Sequence, residues 1–333
     1  FYNDGSIPTT AATADVTISG ETDSAFGNAL TAGDLNADGE TDLVVSAYGY
    51  ASFGYTGRTY IFHNDGSIPT TAATADVTIT GNATSDTFGK TLTVGDLNAD
   101  GEVDLVVGAM GYDTSSGRAY IFYNDGSIPT TAATADVTIT GNAGSGDRFS
   151  ESLATADMNF DGETDLIVGA GLADNTGTAT GKVYIFHNDG SIPTTAATAD
   201  VTISGTTSYD SFGTALSVGD LNADGRTDLT VGATGYTSST GRAYTFYNDG
   251  SIPTTAATAD VVLTGNTTGD YFGGSFAIGD FNNDSLKDLA IGASGYSSNT
   301  GRVYTIISEA APVTPEAANL KGSFDLKGSF ELK

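Results

Sequence analysis

Asp34-Leu35-Asn36-Ala37-Asp38-Gly39-Glu40-Thr41-Asp42 puts oxygen-bearing side chains at positions 1, 3, 5 and 9 of one short stretch, with glycine at position 6. Calcium takes about six to eight oxygen ligands, and acids at alternate positions of a tight turn can aim several of them at one centre. Glycine at position 6 permits the bend. Read this way, Asp34, Asn36, Asp38 and Asp42 ligate through side chains and Glu40 through its backbone carbonyl.

The pattern returns four times. The second loop offers Asp96, Asn98, Asp100, Glu102 and Asp104; the third offers Asp157, Asn159, Asp161, Glu163 and Asp165. The fourth offers Asp220, Asn222, Asp224, Arg226 and Asp228, and the fifth Asp280, Asn282, Asp284, Leu286 and Asp288. Position 7 is therefore Glu, Glu, Glu, Arg or Leu, and a position that serves through its backbone is free to vary. An EF-hand is excluded, because the bidentate Glu at position 12 is missing and the flanks are strand-like rather than helical. In the fifth loop Ser285 stands at position 6, which predicts a weaker site, since Ser there must hold a strained backbone.

The loops begin at residues 34, 96, 157, 220 and 280, so the steps are 62, 61, 63 and 60. A fixed period of this size identifies one repeat architecture rather than two or three unrelated domains. Each unit carries four strand candidates. In the first they are Ala25 to Ala32, Asp42 to Ala47, Gly57 to Phe62 and Asp76 to Ile79, with no helical period. Four short antiparallel strands per repeat predict an all-β propeller blade, with the acidic loop as the hairpin between strands one and two. Continuous apolar runs such as Leu105-Val106-Val107 fit strands packed between neighbouring blades.

The order Phe-Gly, Asp-x-Asn-x-Asp-Gly-x-x-Asp-Leu, Gly-Ala, Gly-Arg-x-Tyr resembles the FG-GAP repeat of the integrin α-subunit propeller and its bacterial relatives, over about residues 15–307. Phe-Gly stands at Phe26-Gly27, Phe88-Gly89, Phe212-Gly213 and Phe272-Gly273, with Phe149-Ser150 in the third unit. Gly-Ala stands at Gly108-Ala109, Gly169-Ala170, Gly232-Ala233 and Gly292-Ala293, with Ser46-Ala47 in the first; the family's following Pro is absent. The resemblance implies a ring that closes by strand exchange between the ends. Here the last unit ends on its third strand, and Asp15 to Ser19 is a stray fourth strand. The expectation is five four-stranded blades within residues 1–308, in units of about 20–80, 81–141, 142–204, 205–264 and 265–308 plus 15–19. The family usually has seven.

After Ser308 the composition changes. Residues 309–319 read as a linker, and 320–333 as an extended arm in which Lys-Gly-Ser-Phe-(Asp/Glu)-Leu repeats; the arm is expected to dock on a partner or another copy.

Lys and Arg total 12 against 41 Asp and Glu, a formal charge of -29, so no basic patch exists to meet nucleic acid. Five divalent ions would bring that to about -19. There is no cysteine, hence no disulfide frame and no thiol chemistry, and no stretch approaches the roughly 20 apolar residues of a membrane span. Several moderate calcium sites suit an extracellular or cell-surface setting. His63 and His187 alternate with Tyr123 and Tyr247 in sister units, which marks packing rather than catalysis. The Arg58, Arg118, Arg242 and Arg302 series, with Lys182 in the third unit, is expected to pair with the acidic loops. Five-fold repetition of the acids argues against the single tuned pair that catalysis needs, and no catalytic residue is nominated.

The least regular segments follow strand two of each unit, where loops on a rigid scaffold usually recognise ligands. They supply Tyr48, Tyr50, Tyr55, Tyr112, Tyr236 and Tyr296 as candidate ligand contacts. The function expected from all of this is a calcium-stabilised adhesion or assembly module with a protein or glycan ligand; the alternative is a multivalent carbohydrate-binding lectin.

Overall fold

The computed structural model describes residues 11–51, 54–142, 146–174 and 179–308. The first part of the leader, the linker 309–319 and the arm 320–333 lie outside the described residues.

The chain is an all-β five-bladed propeller built from antiparallel sheets. The first blade contains β1 (Phe26–Gly33), β2 (Asp42–Ala47), β3 (Arg58–Phe62) and β4 (Val77–Thr80). The second contains β5 (Thr91–Gly95), β6 (Asp104–Ala109), β7 (Arg118–Phe122) and β8 (Val137–Thr140). The third contains β9 (Ser152–Ala156), β10 (Asp165–Ala170), β11 (Lys182–Phe186) and β12 (Val201–Ser204). The fourth contains β13 (Phe212–Gly219), β14 (Asp228–Ala233), β15 (Arg242–Phe246) and β16 (Val261–Thr264). The fifth contains β17 (Phe272–Gly279), β18 (Asp288–Ala293) and β19 (Arg302–Ile306).

Strands within each blade pair in chain order, and the register repeats from blade to blade: Arg58 faces Thr80, Arg118 faces Thr140 and Arg242 faces Thr264. The inner strands β1, β5, β9, β13 and β17 contact one another in succession.

Successive side chains on a strand point to opposite faces, and here both faces are covered. Val44 packs forward with Leu105, Val107 and Phe122 of the second blade, whereas Val45 packs backward with Tyr60 and Phe62. This is why the central strands read as unbroken apolar runs.

The paired motifs of each repeat are the points where blades touch. Phe88 is fully buried and stands edge-on to Tyr120 and Phe122 of its own blade, with ring centroids 5.4 and 6.3 Å away. Its main chain presses against the preceding blade so closely that a Cβ on Gly57, at φ +83°, would lie 2.0 Å from the Phe88 carbonyl oxygen. Gly117, Gly181 and Gly241 meet Phe149, Phe212 and Phe272 in the same way. In the third repeat Ser150 replaces the glycine of Phe-Gly at φ 69°, and its hydroxyl donates to the Arg118 carbonyl at 2.8 Å.

The two ends differ from the middle. Asp15 to Ser19 was expected to complete the last blade. Instead Ser19 bridges Thr71, its N–H donating to the Thr70 carbonyl and its carbonyl accepting from the Ala72 N–H. Thr80 makes the same bridge to Thr131, and Thr140 to Thr195, so the segment is seated on the first blade as the last strand of a preceding blade would be. Among the described residues β19 has no fourth strand beside it. Ile18 packs on the Tyr60 and Phe62 cluster, and that contact fixes the segment.

Candidate metal loops and the variable face

The five acidic loops fold alike. Asp34 accepts from the N–H groups of Asp38 and Gly39 at 3.2 and 2.8 Å, and Asp38 accepts from the Glu40 N–H at 2.8 Å. The Asn36 side-chain amide donates to Asp38 at 2.9 Å. Position 7 takes part through its backbone in every copy: the N–H groups of Glu102, Glu163, Arg226 and Leu286 donate to Asp100, Asp161, Asp224 and Asp284. Its free side-chain variation follows from this.

Position 9 is buried and bridges the loop to the rest of its blade. Asp104 accepts from the Leu97 N–H at 2.7 Å and from the Asn124 N–H at 2.8 Å. Asp42, Asp165, Asp228 and Asp288 make the same pair of bonds, to Leu35 and Asn64, Met158 and Asn188, Leu221 and Asn248, and Phe281 and Ser308. Burial pushes the Asp104 carboxyl up to about 6, against the pull of those two amides; the nearby Asp100 and Asp96 push the same way as burial. Asp165 and Asp228 are raised for the same first reason.

Among the described residues no three acids converge closely enough to enclose an ion as they stand. The chemistry of the loop nevertheless suits a hard cation. A carboxylate oxygen has two acceptor sites, so one amide bond leaves it a lone pair. The loop carboxylates have no Lys or Arg ion pair among the described residues to offset them. Asp34, Asn36, Asp38, the Glu40 carbonyl and Asp42, and their counterparts, are the groups that would hold calcium; the ion would neutralise the clustered acids. Ser285 adopts φ 73°, close to the glycines it replaces, and its N–H still reaches Asp280 at 2.8 Å, so the fifth loop keeps the shared shape.

The arginine series pairs differently from the sequence expectation. Its planes lie on tyrosines rather than beside the acidic loops: Arg58 over Tyr50 at 3.5 Å, Arg118 over Tyr112 at 3.7 Å, Arg242 over Tyr236 at 3.4 Å and Arg302 over Tyr296 at 3.7 Å. A guanidinium is drawn to the electron-rich face of a ring. The third repeat loses both partners together, with Ala173 at the tyrosine position and Lys182 at the arginine position. Four of the six nominated tyrosines are therefore half-buried stacking partners. Tyr48 and Tyr55 stack on each other at 6.4 Å, with the Lys90 ammonium over Tyr48.

A cleft of about 570 Å³ opens instead between the fourth and fifth blades. Tyr209 and Tyr271 stand in it, 65% and 45% exposed, beside Ser208, Ser211 and Thr237. Both tyrosines hold positive φ, at 65° and 53°, where sister repeats carry Gly146 and Ser211. Asp210, buried at the same cleft, has neither carboxylate oxygen hydrogen-bonded among the described residues. Burial raises its pKa, and the positive charge of Arg242 opposes the rise. The sequence signal was present in the departures of Tyr209 and Tyr271 from their sister residues.

The FG-GAP repeat model matches five segments: residues 26–62, 88–122, 149–186, 212–246 and 272–306. Human phosphatidylinositol-glycan-specific phospholipase D is 32% identical over 228 residues, which span 62% of this chain and 26% of that protein. Integrin alpha-PS5 of Drosophila melanogaster is 32% identical over 219 residues, 63% of this chain and 21% of its own. The chain thus spans about a quarter, or less, of the length of these relatives. Among solved structures, the V. cholerae biofilm matrix protein Bap1 covers 70% of this chain and 38% of its own, at 16% identity and a TM-score of 0.33. With a matching model in every blade, this chain belongs to the FG-GAP repeat family and is a propeller of the integrin-alpha type.

Proposed function

We propose that this propeller is a calcium-stabilised, non-catalytic module for extracellular adhesion or assembly. The observation that carries the reading is the five-fold recurrence of one acidic loop, each copy tied by a buried aspartate to the segment that follows strand three of its blade. Calcium would cancel the repulsion among loop carboxylates and hold the hairpin between strands one and two, so metal binding and folding would be linked. No helix among the described residues is long and apolar enough to cross a membrane. Unfolding in calcium and in chelator, with bound ions counted by elemental analysis, tests it. About five ions and a large fall in melting temperature on chelation are expected; no bound calcium and no shift would refute it.

A second reading, a carbohydrate-binding lectin, is favoured by the cleft between the fourth and fifth blades. Exposed tyrosine faces flanked by hydroxyls suit stacking against sugar rings. Binding on a glycan array that is lost in Tyr209→Ala and Tyr271→Ala, with melting unchanged, would select it over a protein ligand.

A further inference from the structure

In five near-copies of one unit, a departure confined to one junction is informative, and two such departures meet between the third and fourth acidic loops. Position 4 of the loop is Ala37, Ala99 and Ala223 in the first, second and fourth copies and Asn283 in the fifth, but Phe160 in the third. Position 7 is an arginine, Arg226, in the fourth copy alone. The two residues touch across the blade boundary: the Arg226 guanidinium lies over the Phe160 ring, 4.6 Å from its centre. A cation on a ring face is attracted to it, and here the attraction joins a loop of the third blade to a loop of the fourth. The Phe160 N–H donates to Asp157 at 2.7 Å, so the ring rides on the turn that presents the first acid of its loop.

Beneath this surface contact runs a buried one. Asp165, at position 9 of the third loop, accepts from the Met158 N–H at 2.7 Å. The Met158 carbonyl accepts from the Asn248 side-chain amide of the fourth blade at 2.9 Å. The Asn248 N–H in turn donates to Asp228, at position 9 of the fourth loop, at 2.9 Å. Three hydrogen bonds thus connect the position-9 aspartates of two successive loops. Met158 and Asn248 are 3% and 0% exposed, so water does not compete for the path. The sister asparagines do not complete it. Asn124 and Asn188 are as deeply buried, yet among the described residues their side-chain NH2 groups have no hydrogen-bond partner. Ser308 holds the place in the fifth blade, and its hydroxyl donates to the Lys287 carbonyl of the same blade.

We propose that the third and fourth loops take up calcium as a coupled pair, while the other loops bind independently. The inference rests on the calcium reading of the loops and deepens it. An ion held by Asn159, Asp161 and Asp165 would fix Phe160, which lies between the first two, and would fix Met158 through Asp165. Phe160 would then hold Arg226, whose carbonyl belongs to the fourth loop, and Met158 would hold Asn248 and with it Asp228. Part of the ordering of the fourth loop is done before its own ion arrives, so that ion binds more tightly. Coupling is reciprocal, and an ion in the fourth loop tightens the third by the same factor.

The test is a calcium titration of the full chain followed by NMR at the amides of Gly101, Gly162 and Gly225. Each stands at position 6 of its own loop and donates to that loop's first aspartate. Gly162 and Gly225 are expected to share one transition, steeper than that of Gly101. Asp157→Ala, which disables the third loop, should raise the calcium midpoint of Gly225 about fivefold or more and leave Gly101 in place. Phe160→Ala combined with Asn248→Ser supplies residues that sister copies carry at both positions. In that variant Gly162 and Gly225 should both still respond, but separately. An unmoved Gly225 midpoint in Asp157→Ala would overturn the proposal. So would an equal shift at Gly101, which would mark general stiffening of the blades. Calcium that moves none of the three amides would instead refute the calcium reading itself, and this pairing with it.

Discussion

Replacing Asp104 with Ala separates two roles that the acidic loop combines. The carboxylate is wholly buried and accepts from the amides of Leu97 and Asn124 at 2.7 and 2.8 Å. Alanine leaves both amides buried without an acceptor. Each such orphan costs about 1–3 kcal/mol, so the pair costs roughly 2–6. Part of that is recovered because a buried charge is removed, one whose own pKa burial has pushed to about 6. The net loss should be about 3 kcal/mol. Asparagine keeps one acceptor but turns its own N–H group toward the second amide, so Asp104→Asn should lose about half as much.

The informative condition is chelator. If Asp104 acted only as a metal ligand, its removal would cost nothing once calcium is gone. The two amide bonds predict that nearly the whole loss persists there. Asp96→Ala, on the exposed side of the same loop, should have little effect in chelator and act mainly when calcium is present. Urea unfolding of the full chain gives the free energies, and hydrogen exchange at the Leu97 and Asn124 amides localises them. A loss below about 1 kcal/mol for Asp104→Ala in chelator, with those amides still protected, would refute the reasoning.

Phe212→Ala should cost about 3–5 kcal/mol because it empties a site enclosed by Tyr244 and Phe246, whereas the half-buried Phe26→Ala should cost about half that; equal losses by urea unfolding would contradict the blade-contact account. Gly181→Ala brings a Cβ to 2.0 Å from the Phe212 carbonyl and should destabilise by several kcal/mol, on the order of 3–5, whereas Gly301→Ala bears only the left-handed strain of about 1 kcal/mol. Asp210 holds its proton more tightly folded than unfolded, so its contribution to stability falls as pH rises from about 4 through its raised value and stays low above it. Asp210→Asn should therefore melt above the parent at pH 7, with the gap closing toward pH 4; a lower melting point at pH 7 would count against this.

The fold was legible because its determinants are local and repeated. A period of about 62 residues, Asp-x-Asn-x-Asp loops and apolar runs in each unit specify strands and hairpins without long-range information. Strand bounds followed closely: Asp42 to Ala47 was expected and is β2. What stayed hidden depends on which blade faces which. Nothing in Arg118 or Tyr112 alone says that they stack, although their joint replacement in the third repeat by Lys182 and Ala173 is a covariation within one chain. The bridging role of position 9 was hidden because its second partner, such as Asn124, lies 20 residues away. Tyr209 and Tyr271 lie in the turns just before β13 and β17, outside the irregular segments that follow strand two. Their departure from sister residues was the available clue.

Repetition also decides where asymmetry can be informative. In an array whose units touch only their neighbours, stability is a sum of terms within blades and terms between them. The acidic loops and their buried aspartates belong to the first kind and occur five times. The Phe-to-Gly contacts belong to the second, and the described residues complete only four, from Gly57 with Phe88 to Gly241 with Phe272. Calcium would strengthen every blade. It would leave the Phe-to-Gly contacts as they stand, because none of the residues that make them lies between positions 1 and 9 of a loop.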